Sequence, residues 1–356
     1  MPEPRRAVDP LRRERGPGSR ARLDALHTRV LACGPGIEPA VQLAVELGLS
    51  SPAPGEGETD ELWEMLATVA AADVAVARVV EPHLDALAIL RQLPIPADIA
   101  AIGAGGTSTW GVFAAEGAGT RVTAEPQGGA WVLDGVKPWC SLAGLVSHAL
   151  VTAYTPDGGR RLFAIAMAQR GVSVREGVWA ARGLTQIPSG PIELTAVPAV
   201  PVGNDGWYLS RPGFAWGGLG VAAIWWGAAV GIARQLDEHA RSREPDQIAL
   251  MHLGAADAQL ECGRLALGAA STVVDAGVSD PGEMRILAQR TRTIVANAAE
   301  EVIARCGHSL GPAPLALDAR HAGRVADLGL YLRQDHAERD EAALGRALLS
   351  REERPW

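Results

Sequence analysis

The 356-residue sequence predicts an α+β fold in which an N-terminal helical domain, a central antiparallel β domain and a C-terminal four-helix bundle follow one another. Three observations predict it. Residues 21 to about 103 carry apolar side chains at near-helical spacing. Residues 110 to 205 break into short period-two or β-branched runs between glycine-rich turns. Beyond them the pattern returns to long helices that stop only at proline-containing breaks. The expected division is a disordered tail at 1–20, a helical domain at 21–109, a β-barrel or sandwich at 110–210 and a helical bundle at 211–350.

The tail, MPEPRRAVDPLRRERGPGSRAR, is rich in arginine, but its prolines and Glu3, Asp9 and Glu14 argue against a transit helix, and no apolar stretch follows it. In the helical domain, DELWEMLATVAAADVAVARVV (60–80) sets Leu62, Met65, Leu66, Val69, Val74 and Val80 among alanines at near-helical spacing. Pro82 is expected to interrupt the helix before HLDALAILRQL resumes it. GAGGTSTWG (103–111) reads as a linker, since no strand precedes it and no acidic residue follows at the distance a dinucleotide loop requires.

The β domain is expected to use TRVTAE, AWVLDG, SHALVTAY, RRLFAIAM, GVSVREG and IELTAVPAVPV as strands, with TPDGG (155–159) as a hairpin turn. Four helices are then expected at about 214–242, 248–276, 282–306 and 314–345. The first contains an uncharged run from Pro212 to Ala233 that is long enough to cross a bilayer, with Gly227 and Gly231 in GxxxG spacing. Its five glycines between 217 and 231, its preference for alanine over leucine and the absence of a second such run favour a helix buried in the bundle, so no membrane span is expected.

Composition narrows the function. A formal net charge of -8, with arginines interspersed among acids, excludes the concentrated basic surface that nucleic acids require. Cys33, Cys140, Cys262 and Cys306 are scattered, with no metal-ligand spacing and no disulfide framework, which fits a reducing cytoplasm. One local feature stands out: GVKPWCSLAG (135–144) holds the only lysine in the chain. In this stretch a tryptophan at a strand end offers a wide face to a flat aromatic ligand, and the hydroxyl of Ser141, two residues on, points the same way along extended chain toward such a ligand's edge.

The order of helices, β domain and helices resembles the acyl-CoA dehydrogenase superfamily of FAD enzymes over nearly the whole chain. VFAAEGAGT (112–120) is similar to the start of that family's β domain, keeping Glu116, Ala118, Gly119 and the hydroxyl of Thr120 but carrying Ala115 and Gly117 where threonine and proline are usual. GVKPWCS matches the family's Gly-x-Lys-x-Trp-Ile-Thr stretch at Gly135, Lys137 and Trp139, with Ser141 in place of threonine. The resemblance implies that Trp139, Cys140 and Ser141 border the flavin, and that Glu116 and Thr120 contact substrate. It further implies that Arg243, in HARSREPDQ with Arg241 as its alternate, reaches the pyrophosphate of a neighbouring subunit's FAD, a task suited to a planar guanidinium. That loop is shorter than the usual form. In ARCGHSLGPAPL (304–315), Gly307 stands where a glycine-rich turn approaches the cofactor, and Arg324 and Asp327 lie near the family's recurrent Arg-Asp pair.

The activity so implied is FAD-dependent α,β-dehydrogenation of an acyl-CoA or related thioester by a homodimer or homotetramer, with a carboxylate removing the α-proton. Asp335 matches the position of that base, where glutamate is usual, and His336 is adjacent; the other family location is excluded because Phe214 to Ala233 holds no ionisable side chain. Two alternatives remain open. One is a flavin monooxygenase of the same fold, which needs no α-proton base; the other is a non-catalytic relative that has lost FAD. No metal is expected.

Overall fold

The computed structural model describes residues 7–9, 11, 17–34, 36–277, 280–351 and 354. Four helices open the chain: α1 (Pro17–Ala32), α2 (Glu38–Ser50), α3 (Thr59–Ala72) and α4 (Val74–Arg91). The break inside the apolar 60–91 run falls at Asp73, not at Pro82. Asp73 is extended and its carboxylate accepts the Val76 amide at 3.0 Å, capping α4. Pro82 lies within α4. Its missing N–H and ring clash cost a helix about 3 kcal/mol, and α4 offsets this by burying most of its length against α2, α3 and α6.

The expected tail is partly packed. Ala7, Val8 and Leu11 are buried, the Leu11 amide donates to Glu64 at 2.7 Å, and the Leu11 carbonyl accepts from Arg264 at 3.1 Å. The arginine-rich surroundings mask these apolar residues in the sequence; the rest of residues 1–6, 10 and 12–16 lies outside the described residues.

The central region contains β1 (Trp110–Phe113), β2 (Val122–Gln127), β3 (Ala130–Lys137), β4 (His148–Tyr154), β5 (Arg160–Ala166), β6 (Val172–Val174) and β7 (Ile192–Val202). Strands β4, β2, β3, β7 and β5 close into a five-stranded barrel through the β4–β5 pairing, with β1 flanking β4 and β6 flanking β7. The sheet is mixed rather than antiparallel, because β4 runs parallel to both β1 and β2. Each strand's period is visible in the sequence, but pairing direction depends on crossovers that leave no period of their own. The TPDGG turn joins β4 to β5, with the Thr155 amide donating to the Gly159 carbonyl and Gly158 at φ +79. Gly135, at φ +125, sits at the β3 irregularity, where a Cβ would come within 2.1 Å of the Arg121 carbonyl oxygen.

The short α5 (Trp207–Ser210) leads into three long helices, α6 (Pro212–Arg241), α7 (Gln247–Asp275) and α8 (Pro281–Leu310). Asp246 and Asp280 cap α7 and α8 with their carboxylates. The fourth expected helix is three: α9 (Pro312–Leu317), α10 (Ala319–Tyr331) and α11 (Glu338–Leu349). Asp318 caps α10 by accepting the Arg320 and His321 amides, and Ala337, at φ +47, breaks the chain before α11.

Helix α6 is the one described helix long and apolar enough to span a bilayer, and it is mostly buried. It runs against α3, α7 and α8. The GxxxG pair makes the α3 crossing: a Cβ on Gly227 would lie 2.1 Å from the Ala67 carbonyl oxygen and one on Gly231 2.6 Å from that of Ala71. One hydrophobic core therefore includes Trp63, Leu66 and Val69 of α3 together with Leu219, Ile224 and Trp225 of α6 and Val295 of α8. Gly227→Ala should destabilise the protein by about 1–3 kcal/mol or more, because the overlap is with backbone. Gly254→Ala, on exposed α7 surface with nothing near its Cβ, should instead raise stability by about 0.5–1 kcal/mol. Urea unfolding of the two variants checks the contrast, and equal effects would contradict the close helix crossing.

Candidate active site

The loop after β3 is held in an unusual shape. Trp139 and Leu142 both adopt left-handed backbone (φ +59 and +58), a conformation costly for bulky residues. Two amides fix it, Cys140 donating to the Gly190 carbonyl and Leu142 to the Pro188 carbonyl, each at 2.9 Å. The twist leaves the Trp139 side chain 60% exposed and turns Cys140 and Leu142 inward. Burial pushes the Cys140 thiol up to about 12, and its Sγ donates to the Lys137 carbonyl at 3.3 Å.

Lysine 137 belongs to the barrel interior. Lys137 is 1% exposed, and its Nζ donates to Glu116 Oε1 and Thr152 Oγ1, each at 2.8 Å. Arg160 pairs with the same Glu116 oxygen at 3.0 Å. Burial holds the Lys137 ammonium below its ordinary value, with Glu116 opposing the shift. Glu116 thus closes a two-cation network, and Thr120 donates to the Gly117 carbonyl at 2.9 Å in a turn that touches Pro138. Both expected substrate contacts are engaged within the barrel end, next to the Trp139 loop.

Ser141 opens a second network. Its Oγ lies 2.8 Å from Ser189 Oγ and accepts from Arg78 Nη2 at 3.3 Å. Arg78, buried on α4, also donates to Glu81 Oε2 at 2.7 Å and to the Tyr331 hydroxyl at 3.2 Å, and stacks 4.7 Å from the Tyr331 ring centroid. A single guanidinium therefore ties α4, α10 and the Trp139 loop together. The Glu81 side chain is 12% exposed. Burial pushes its carboxyl up to about 7, Asp85 adds to the rise and Arg78 opposes it.

Glu81 and Asp85 reach the wall of a cavity of about 720 Å³. The start of α6 and the first turns of α8 form its sides, with Arg211, Phe214, Met284 and Arg292 among the lining residues. Burial raises the Asp85 carboxyl while Arg211 opposes the rise. Arg292 is anchored by the Gly218 and Gln334 carbonyls at 2.9 and 3.2 Å and packs 4.5 Å from the Trp225 ring centroid.

The remaining sequence candidates separate from this centre. Asp335 follows α10, with Oδ2 accepting the Ala337 amide at 3.2 Å and Oδ1 buried without a partner; its neighbours Gln334 and His336 line the cavity. Arg243 is exposed at the α6–α7 turn. Gly307 lies inside α8 instead of in a glycine-rich turn, because the helix continues to Leu310 and turns only at Gly311 (φ +67). Arg324 donates to the Ala72 carbonyl at 3.0 Å, and Asp327 accepts the Leu184 amide. Arg78, Glu81, Asp85, Arg211, Arg292 and Tyr331 were not among the sequence candidates. A signal existed for three of them: Arg78, Glu81 and Asp85 recur at helical spacing in an otherwise apolar segment.

An exposed indole on a rigid loop, backed by the hydroxyls of Ser141 and Ser189, fits the face and polar edge of a flavin ring. No protein-family model matches the chain, and no curated protein matches its sequence. Solved structures do match. KijD3 in complex with dTDP is 20% identical, with 93% of this chain and 96% of that chain covered at a TM-score of 0.78; the same protein is also known in complex with FMN and dTDP-3-amino-2,3,6-trideoxy-4-keto-3-methyl-D-glucose. The nitrososynthase from Micromonospora carbonacea var. africana is 21% identical over 95% of this chain and 99% of that chain, at a TM-score of 0.77. The dibenzothiophene monooxygenase TdsC from Paenibacillus sp. A11-2 is 18% identical over 94% and 99%, at a TM-score of 0.72. With its barrel between two helical layers, a buried charge network beside an exposed tryptophan and this likeness to KijD3, the nitrososynthase and TdsC, the chain has the fold of the acyl-CoA dehydrogenase superfamily of flavoenzymes.

Proposed function

We propose that the chain is a flavin-dependent oxidoreductase that oxygenates a small molecule in the 720 Å³ cavity. When bound, reduced flavin would supply the electrons: substrate, dioxygen, reduced flavin anion and one proton give oxygenated substrate, water and oxidised flavin. The observation that carries the reading is the state of the carboxylates. Asp335, the expected α-proton base, caps a backbone amide instead of lining the cavity, and the Glu81 carboxyl is engaged by Arg78, which also reaches Ser141. The expected base therefore lies outside the cavity lining. The likeness to a monooxygenase and to a protein that binds FMN with an amino sugar nucleotide points the same way.

In this reading Trp139 packs the ring, Ser141 and Ser189 meet its polar edge, and the Trp139 loop and α4 keep water from the reacting face. The flavin is FMN or FAD; the exposure of Arg243 at the α6–α7 turn supports FAD, whose pyrophosphate it would meet from a neighbouring subunit in a cytoplasmic homodimer or homotetramer. Acyl-CoA dehydrogenation by FAD is the second reading. The Oδ1 of Asp335, buried without a partner between the cavity-lining Gln334 and His336, favours it.

Absorbance after addition of FMN or FAD tests the first step: the protein should hold a yellow flavin, and Trp139→Ala should weaken binding about tenfold, the worth of one stacked aromatic contact. Normal retention in that variant would remove Trp139 from the site. Anaerobic titration separates the reactions. Acyl-CoA thioesters should leave the flavin oxidised, whereas chemically reduced flavin enzyme should consume dioxygen; bleaching by an acyl-CoA that is abolished in Asp335→Asn would establish the dehydrogenase instead.

A further inference from the structure

Glu81 and Asp85 form a thin partition. One turn apart on α4, they line the large cavity on one side and a small inner chamber of about 40 Å³ on the other. Most of the chamber wall is apolar, from Leu62, Leu66 and Leu84. Besides Ser51 and Arg91, the wall carries the indole of Trp216, whose Nε1 is buried and has no partner. A space of this size holds at least one water, and a wall that carries two carboxyl residues and an unpartnered indole N–H offers the partners such a water needs. The outer end of the chamber reaches exposed Arg91, which donates to the Ser51 and Gly48 carbonyls at 3.5 Å. That end is distinct from the substrate cavity's own rim at Arg285 and His336.

We propose that Glu81 and Asp85 are a proton-sharing carboxyl pair that feeds the substrate cavity with protons drawn from water in the inner chamber, a back route separate from substrate entry. The proposal rests on the oxygenase reading, whose stoichiometry consumes one proton. In each cycle one proton leaves the Glu81 carboxyl for the cavity, and one passes from bulk solvent through the chamber water and Asp85 back to Glu81, leaving the water unchanged. Both carboxyls end as they began and no electrons move. The charges around the pair allow it to hold a single proton: Arg78 and the Tyr331 hydroxyl of α10 face Glu81, Arg211 and Tyr208 face Asp85, and Arg292 approaches from α8.

Infrared difference titration of the purified chain reads the pair directly. A protonated carboxyl band should persist to about pH 7 and vanish in Glu81→Gln. Asp85→Asn should lower its midpoint, because Asp85's charge helps raise Glu81. Gly220→Ala places a methyl in the chamber at ordinary contact distances, 3.6 Å from Leu66 and 3.8 Å from Trp63, and should slow deuterium exchange into the band without moving its midpoint. A band that survives Glu81→Gln, a midpoint unmoved by Asp85→Asn, or exchange unaffected by Gly220→Ala overturns the proposal; if Glu81→Gln does not fold, the other two variants decide. Thermal stability gives a second reading. Unfolded Glu81 releases its proton near 4.5 and folded Glu81 near 7, so the stability it contributes is complete below pH 4.5 and is lost as pH rises to 7. Wild type should therefore lose Tm over that interval relative to Glu81→Gln. Flavin uptake is measured in parallel: a carboxyl pair that behaves as stated in a chain that takes up no flavin would refute the oxygenase and leave the pair standing.

Discussion

The backbone contact between α3 and α6 governs the architecture. Gly227 and Gly231 allow α6 to lie against the carbonyls of Ala67 and Ala71, closer than any side chain would permit. This joins the first helices and the last in one core. Dispersion between closely packed backbones substitutes for large apolar side chains, which explains how a chain with so much alanine and glycine still buries a dense interior.

From that contact the active-site region follows. Helix α4 starts at the Asp73 cap directly after α3, so its register is set by the α3–α6 crossing. Its next turns carry Arg78, Glu81 and Asp85 toward the start of α6, where Gly217 leaves room for Asp85: a Cβ there would sit 3.1 Å from its Oδ1. Arg78 then reaches two further elements, Tyr331 on α10 and Ser141 on the barrel loop. Gly183 and Leu184 complete the docking of α10, the first lying so near the Ala326 carbonyl that a Cβ would be 2.1 Å away.

Elements ruled by local pattern were legible in the sequence. The six expected strands, the hairpin at 155–159 and the ends of α6 and α7 follow from periodicity and from Gly, Pro and Asp at fixed offsets. What depended on distant partners was not. Helix α4 keeps Pro82 because its flanks are buried, β4 lies parallel to β1 and β2 because of crossovers, and Gly307 remains helical because nothing local ends α8 before Gly311. At the site, the motif GVKPWCS located Trp139 and Ser141, while the partners of Ser141 lie 63 residues back and 48 residues on. Such pairings have no spacing signature.

The lone lysine has a practical consequence. Because Lys137 is locked between Glu116 and Thr152, the described surface presents its side-chain cations as guanidinium and imidazole, with no ε-amine within reach of solvent. Amine-directed acylation of a lysine side chain thus requires the barrel to open. Mass spectrometry after a pulse of such a reagent would count, at one defined atom, the molecules in which the barrel has come apart, and would remain silent toward motion in the helices.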